Sequence, residues 1–304
     1  MTRPLSAPPK LFDRQRYAVR RSRAAARFAE YDYLRQRVAR DLEGRLGDTP
    51  RRFEYGLELG AAGGALSRKL LATGKVARML AADIAPAFTQ MAQAIGLEAA
   101  TLDEEHLAFA EATFDLVLAP LTLHWVNDLP GTLIQIRRIL KPDGLFLGAL
   151  FGTGTLAELR TVLTEAETEL TGGLAPRFSP LPGLRDMADL MQRAGFALPV
   201  ADRDMLDVTY SHPGVLLSDL KGMGERASFV AGTSRALSAP VLARATELYA
   251  QRFAALRGRV RASFEIVHVS GWAPGPGQPQ PLKPGSARVS LANAVKRASP
   301  GRTA

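Results

Sequence analysis

Between residues 53 and 151 the apolar positions fall into short continuous runs, separated by stretches in which they recur every three or four residues. That alternation predicts strands interleaved with helices. Residues 56–59 and 78–84 read as buried strands on either side of a helix at 65–71, a βαβ unit. A short third strand follows at 97–101, and FDLVLAPL at 114–121 forms a fourth. Next come a helix at 129–140, the turn Lys141-Pro142-Asp143-Gly144, and a fifth strand at 145–151. In the turn, proline fixes φ and glycine gives a permissive exit. Strands that are apolar almost throughout are covered on both faces, so the expected architecture is α/β, with a mostly parallel sheet between two layers of helices.

After Phe151 the rhythm changes. A helix is expected at 156–170, a proline-rich loop at 172–183, a helix at 184–193 that stops at Gly195, and strands at 205–210 and 264–269. The helical patterns of 212–259 interrupt the sheet and read as a cap inserted between its last two strands. Beyond Trp272, WAPGPGQPQPLKPGSA is too rich in proline and glycine to pack regularly. The expected organisation is a basic helical segment at 1–52, an α/β domain at 53–270 carrying the cap at about 212–259, and a tail at 271–304.

With 304 residues, 46% of them hydrophobic, the chain can bury a large core. It has no cysteine, which excludes disulfides, thiolate metal sites and cysteine nucleophiles. No apolar run approaches the length of a membrane span, so only peripheral association with a membrane is left open. The opening MTRPLSAPPKLFDRQRY lacks the apolar core of a secretory signal.

The net charge is +9, and residues 1–40 hold eleven Arg or Lys against three Asp or Glu. Such an arm suits nucleic acid, an anionic surface or an organelle address. The favoured alternative is a helix whose apolar face comprises Ala24, Ala25, Ala26, Phe28, Tyr31, Leu34 and Val38, with its arginines in solvent. No basic platform interleaved with aromatics follows it, so no nucleic-acid partner is expected.

The candidate chemistry begins at LELGAAGGALSRKL, residues 57–70. A glycine turn between strand and helix lets the backbone approach a ligand and points free N–H groups at it. Asp83, about 20 positions on at the end of the next strand, is placed to accept from ribose hydroxyls. The loop Glu58-Leu59-Gly60-Ala61-Ala62-Gly63-Gly64 lacks the G-x-G-x-x-G dinucleotide spacing. It is similar to the E/D-x-G-x-G-x-G loop of class I S-adenosylmethionine methyltransferases, with Ala62 at the middle glycine. Leu102-Asp103-Glu104-Glu105 after the third strand, then LHWVNDLP and RRILKPDGLFLG, extend that resemblance over residues 53–151. It implies a Rossmann-like fold, S-adenosylmethionine as cofactor, and cofactor contacts from Glu58, Gly60, Gly64, Asp83, Asp103, Glu104 and Leu121. His124 and Trp125 lie just past the fourth strand, at the edge where open α/β sheets bind ligands. His124 is a candidate base or a buried hydrogen-bonding residue, and Trp125 a wall on the substrate side.

A narrower resemblance spans nearly the whole chain. FDR (12–14), YDYL (31–34), LHWVNDLP, LKPDG, LMQRAGF, DLKGMGE (219–225), Gly271-Trp272 and GSARVS (285–290) resemble the methyltransferase-like assembly factors of respiratory complex I. That family also resembles the methyltransferase of biotin synthesis that acts on a malonyl carrier protein, which shares the tryptophan motif and a similar cap. The first resemblance implies a protein partner, an NADH dehydrogenase subunit, with arginine hydroxylation or methylation as the reaction. It implies a location in the mitochondrial matrix or the bacterial cytoplasm. The second implies carboxyl methylation of a carrier thioester, and a non-catalytic assembly chaperone is a third reading. No metal site is legible, because His106, His124, His212 and His268 form no H-x-D or H-x-E pair. The cap is expected over the strand ends, with Arg226, Arg235, Arg244, Arg252, Arg257, Arg259 and Arg261 making that region positive and suited to an acidic partner.

Overall fold

In the structure, a computed structural model, residues 10–231 and 236–278 are described. Arg235, the motif at 285–290 and most of the expected tail lie outside them. The chain opens with helix α1 (Arg14–Ala25), a single 3-10 turn at Phe28–Glu30, and helix α2 (Tyr33–Gly47). Asp13 starts α1 by accepting a hydrogen bond from the Arg16 backbone N–H. Along α2, Leu34, Val38, Leu42 and Leu46 are buried at four-residue spacing, a stripe that lays the helix on the sheet. The expectation that the arginines of this segment stand in solvent is corrected by the fold. Arg14, Arg21 and Arg35 turn inward, and Arg21 is only 2% exposed.

The sheet follows from strands too apolar to leave a face in water. Strands β1 (Phe53–Leu59), β2 (Val76–Asp83), β3 (Glu98–Thr101), β4 (Phe114–Pro120) and β5 (Leu140–Phe151) pair in parallel. Helices α3 (Ala65–Ala72), α4 (Pro86–Ala94) and α5 (Leu129–Ile139) supply crossovers. Successive side chains point to opposite faces. In β4, Leu116 and Leu118 join one core with Val38, Leu42 and Leu46 of α2, while Val117 and Ala119 join the other with Leu133 and Ile136 of α5.

After β5 come α6 (Ala157–Thr171), α7 (Leu184–Arg193), β6 (Ala197–Tyr210), α8 (Pro213–Gly222), α9 (Ala239–Arg252) and β7 (Val260–Trp272). The seven strands stand in the order β3-β2-β1-β4-β5-β7-β6, with β7 antiparallel to both β5 and β6. The order reverses between β1 and β4, which places a crevice beyond their carboxyl ends. None of the described helices is long and apolar enough to cross a membrane.

Several boundaries differ from the sequence reading. β6 starts at Ala197 rather than 205, because it is the edge strand of the sheet, where Pro199 is tolerated and Leu198 and Val200 are exposed. β5 begins at Leu140, and its ladder passes from Leu140 opposite Phe114 to Leu145 opposite Leu116, so the 141–144 turn bulges from the strand. There Asp143, not glycine, takes a left-handed φ of 61°. β7 runs through Trp272, past the boundary drawn at 270. Within that strand position 271 has to be glycine, because an added Cβ would fall 2.8 Å from Met191 Cε and 2.9 Å from Phe196 Cβ.

Candidate cofactor and acceptor site

The loop after β1 is shaped by close approach. Gly60 has φ 64°, and a Cβ there would lie 2.6 Å from Thr122, on the segment leaving β4. Gly64 starts α3 with φ 79°, and a Cβ there would meet Leu97 Cδ1 at 2.3 Å. Ala62 holds a left-handed φ of 47°, a conformation that costs an L-residue about 1–2 kcal/mol. Its methyl is buried in a cluster with Ala25, Phe28, Ala85 and Phe88, contacts that offset the strain. The residue in the middle glycine position therefore packs against the N-terminal arm.

Each acidic candidate is met by an arginine of that arm. Arg21 grips Asp83 with two parallel bonds, Nε to Oδ1 at 2.9 Å and Nη2 to Oδ2 at 2.8 Å. Asp83 also accepts from the backbone N–H of Ala62 at 3.0 Å and of Ala85 at 2.9 Å. Burial would push this carboxyl up, but Arg21 and the two backbone donors together hold it below the usual carboxylate range. Arg14 pairs with Asp103 and with the fully buried Glu104, whose other oxygen accepts from Thr122 Oγ1 at 2.8 Å. Burial raises the Glu104 carboxyl despite Arg14. Arg35 donates to Glu58 Oε1 and to the Pro120 carbonyl, at 2.8 and 2.7 Å. Ser67 satisfies the other Glu58 oxygen from both its backbone and its hydroxyl. Burial raises Glu58 as well. Leu121, buried with φ 50°, donates its N–H to Ala149 at the same strand edge.

His124 and Trp125 lie in a 3-10 turn just beyond β4, and both are buried. Trp125 stacks on Tyr17 with 5.2 Å between ring centroids and meets Phe12 edge-on at 5.3 Å. Trp125 Nε1 donates to Glu225 Oε2 at 2.7 Å, and His124 Nε2 lies 3.0 Å from the same oxygen. Asn127 accepts the backbone N–H groups of Leu11 and Phe12, tying the arm to this turn. The segment 227–229 is tied to α1 as well: the Arg20 guanidinium donates to Ala227 O, and Asp13 N to Ser228 O at 2.7 Å.

Beside His124 and Trp125 opens a cavity of about 670 Å³. Phe151 and Phe264 from the sheet, Leu217 and Leu220 from α8, and Leu242 from α9 wall it, so the cap covers this space. A cleft of about 20 Å³ on the arm side is lined by Phe28, Tyr31, Arg35, Leu121 and Glu225 among others. The charge expected from the cap arginines is corrected in part. Arg244 pairs with Glu169 and Glu247, Arg252 with Glu165, and Arg261 with Glu158. Of the arginines expected there, Arg226 lines the cavity, together with Arg20, Arg160, Arg177 and Lys221. Among the described residues no three His, Asp or Glu side chains are grouped as a metal site.

All the residues proposed from the sequence, Glu58, Gly60, Gly64, Asp83, Asp103, Glu104, Leu121, His124 and Trp125, thus come to the carboxyl edge of β1, β2, β3 and β4 or the turns that follow. Sequence reasoning missed Arg14, Arg21, Arg35 and Glu225. Two of them were signalled: Arg14 ends FDR, and Glu225 ends DLKGMGE. Another such motif contact explains Gly222, where a Cβ would lie 2.3 Å from the Tyr31 ring of YDYL.

Residues 57–148 match the methyltransferase domain family. The chain is 38% identical to the mitochondrial arginine-hydroxylase NDUFAF5 of Danio rerio over 272 residues, covering 88% of this chain and 84% of that one. It is 34% identical to the malonyl-[acyl-carrier protein] O-methyltransferase of Halorhodospira halophila, covering 87% and 90%. Among solved structures, the YcgJ protein of Bacillus subtilis superposes with a TM-score of 0.55 at 15% identity, over 77% of this chain and 97% of that one, a likeness of fold.

Proposed function

The chain belongs to the methyltransferase-fold family of the arginine-hydroxylase NDUFAF5, and from that premise we propose that it binds S-adenosylmethionine and modifies an arginine of a protein partner, a subunit of NADH dehydrogenase. The observation that carries the proposal is a capped cavity beside the glycine loop. His124 and Trp125 line that cavity, and at the carboxyl ends of the neighbouring strands stand the glycine loop and the acidic groups, covered by the arginines of the N-terminal arm.

The residues present fit the cofactor in chemistry. Asp83 would take the ribose hydroxyls and Asp103 the adenine amino group, once Arg21 and Arg14 release them. Arg35 is the one cation among the described residues lining the small cleft, and it suits the cofactor's carboxylate. When bound, the cofactor supplies an electrophilic sulfonium methyl. The chain's own contribution is to orient and enclose. Trp125, packed on the face of Tyr17 and against the edge of Phe12, would wall the cavity on the side of the arm. Methyl transfer to the arginine would need only that methyl group and an acceptor for the guanidinium proton, whereas hydroxylation is a two-electron oxidation that would also need dioxygen and a two-electron donor supplied from outside the chain.

One observation favours a second reading. Arg160 Nε in the cavity wall is buried with no hydrogen-bond partner among the described residues, and a carboxylate such as that of a malonyl thioester would satisfy it.

Intact-mass measurement of candidate NADH dehydrogenase subunits, co-expressed with and without this chain, tests the proposal. We expect a subunit to gain one oxygen or one methylene on an arginine. Unchanged masses in every subunit would contradict it and favour a chaperone that only binds.

A further inference from the structure

We propose that Glu225 binds the guanidinium of the acceptor arginine at the junction between the cavity and the small cleft, an assignment that rests on the arginine-acceptor reading above. Glu225 follows helix α8, and its backbone is fixed there: Gly224 takes a left-handed φ of 79°, and the Glu225 N–H donates to Leu220 O at 2.9 Å. That turn aims the side chain at the strand edge. Glu225 lines the large cavity and the small cleft alike, and in the cleft it is joined by Leu121 and Arg35, two of the residues of the proposed cofactor site.

Its two oxygens differ. The bonds from Trp125 Nε1 and His124 Nε2 both land on Oε2, which fixes the carboxylate's plane. No described group hydrogen-bonds to Oε1. The side chain is 11% exposed, so its charge sits in a poorly hydrated setting where an ion pair is screened little. Glu225 is also the only carboxylate among the described residues lining the cavity.

Among the described residues, three of the five cations that line the cavity are engaged elsewhere. Arg20 is held against Ala227 O, Arg177 is paired with Glu167, and Arg160 lies over the Phe178 ring, 5.5 Å from its centroid. An arginine side chain matches the remaining surface. Its methylene stem would run along Phe151, Leu220 and Phe264, and its planar fork would present a donor to Oε1. A carboxylate acceptor brought to the same junction would meet Glu225 as a like charge.

The test is binding of N-acetyl-arginine methylamide to the full chain, followed by NMR or calorimetry in saturating S-adenosylhomocysteine. The citrulline counterpart and malonate serve as further probes. The expected results are binding of the arginine probe, at least about tenfold weaker binding of citrulline, and a similar loss of arginine-probe binding in Glu225→Gln. Glu225→Asp should restore part of that loss, and malonate should bind Glu225→Gln no worse than wild type. The citrulline comparison uses the wild-type chain, so it reads the charge preference whatever the variants do to folding. Equal arginine-probe binding by wild type and Glu225→Gln, with arginine still preferred over citrulline, overturns the assignment of Glu225 alone. Failure of the wild type to bind the arginine probe, or to prefer it to citrulline, overturns both this assignment and the arginine-acceptor reading.

Discussion

Arg21→Gln is expected to destabilise the ligand-free protein by about 3 kcal/mol and, at the same time, to strengthen its binding of S-adenosylhomocysteine. Breaking a buried ion pair by removing one partner typically costs about 3–5 kcal/mol. Asp83, 1% exposed, would keep its bonds from the Ala62 and Ala85 backbones, which sets the expectation near the lower end. The gain in binding follows from counting acceptors. Two bonds from Arg21 and two from the backbone occupy the carboxylate, so ribose hydroxyls can enter only by displacing the guanidinium. With glutamine in place of arginine that competition is weaker. Thermal melts with and without ligand should show a lower ligand-free midpoint and a larger ligand-induced rise than in wild type. A smaller rise would mean that Arg21 holds the ligand instead of competing with it.

Deletion of residues 1–40 is expected to abolish the cooperative melting transition, an effect larger than a shifted midpoint. Phe12, Tyr17, Phe28, Leu34 and Val38 are all buried, and burying a large apolar side chain contributes about 1.5–3 kcal/mol. The five together reach about 7–15 kcal/mol, an upper estimate of the same order as the whole stability of a domain. The truncation also strips Asp83, Asp103, Glu104 and Glu58 of Arg21, Arg14 and Arg35. Circular dichroism and calorimetry on the truncated chain check this. A sharp transition near the wild-type midpoint would show that the arm is an accessory.

The contrast between the legible and illegible parts has a physical basis. β1, β2, β4 and β5 could be read because each is buried on both faces and leaves a continuous apolar run. The first half of β6 leaves no such run: Leu198, Pro199 and Val200 are exposed at the edge, Leu198 takes a left-handed φ of 50°, and the ladder slips between Ala197 and Val200. α4 was not drawn, because PAFTQMAQA buries only Phe88, Thr89 and Ala92 and shows little apolar periodicity. Asp83 was legible from its distance to the glycine loop, a local relation. Its partner was not: Arg21 lies 62 positions away, and nothing in the spacing of the arm separates an arginine that pairs inside from one that faces water. Glu225, likewise, reaches His124 and Trp125 across about 100 positions, and only the DLKGMGE motif signalled it.

The strand-end site, with Ala62 in the loop and Arg21 on Asp83, is proposed to take S-adenosylmethionine. Calorimetric titration of the full chain with S-adenosylmethionine decides this. A saturable single-site heat is expected, lost when Asp83→Ala removes the carboxylate proposed to hold the ribose. The absence of any heat at millimolar ligand, or an isotherm that Asp83→Ala leaves unchanged, would contradict it.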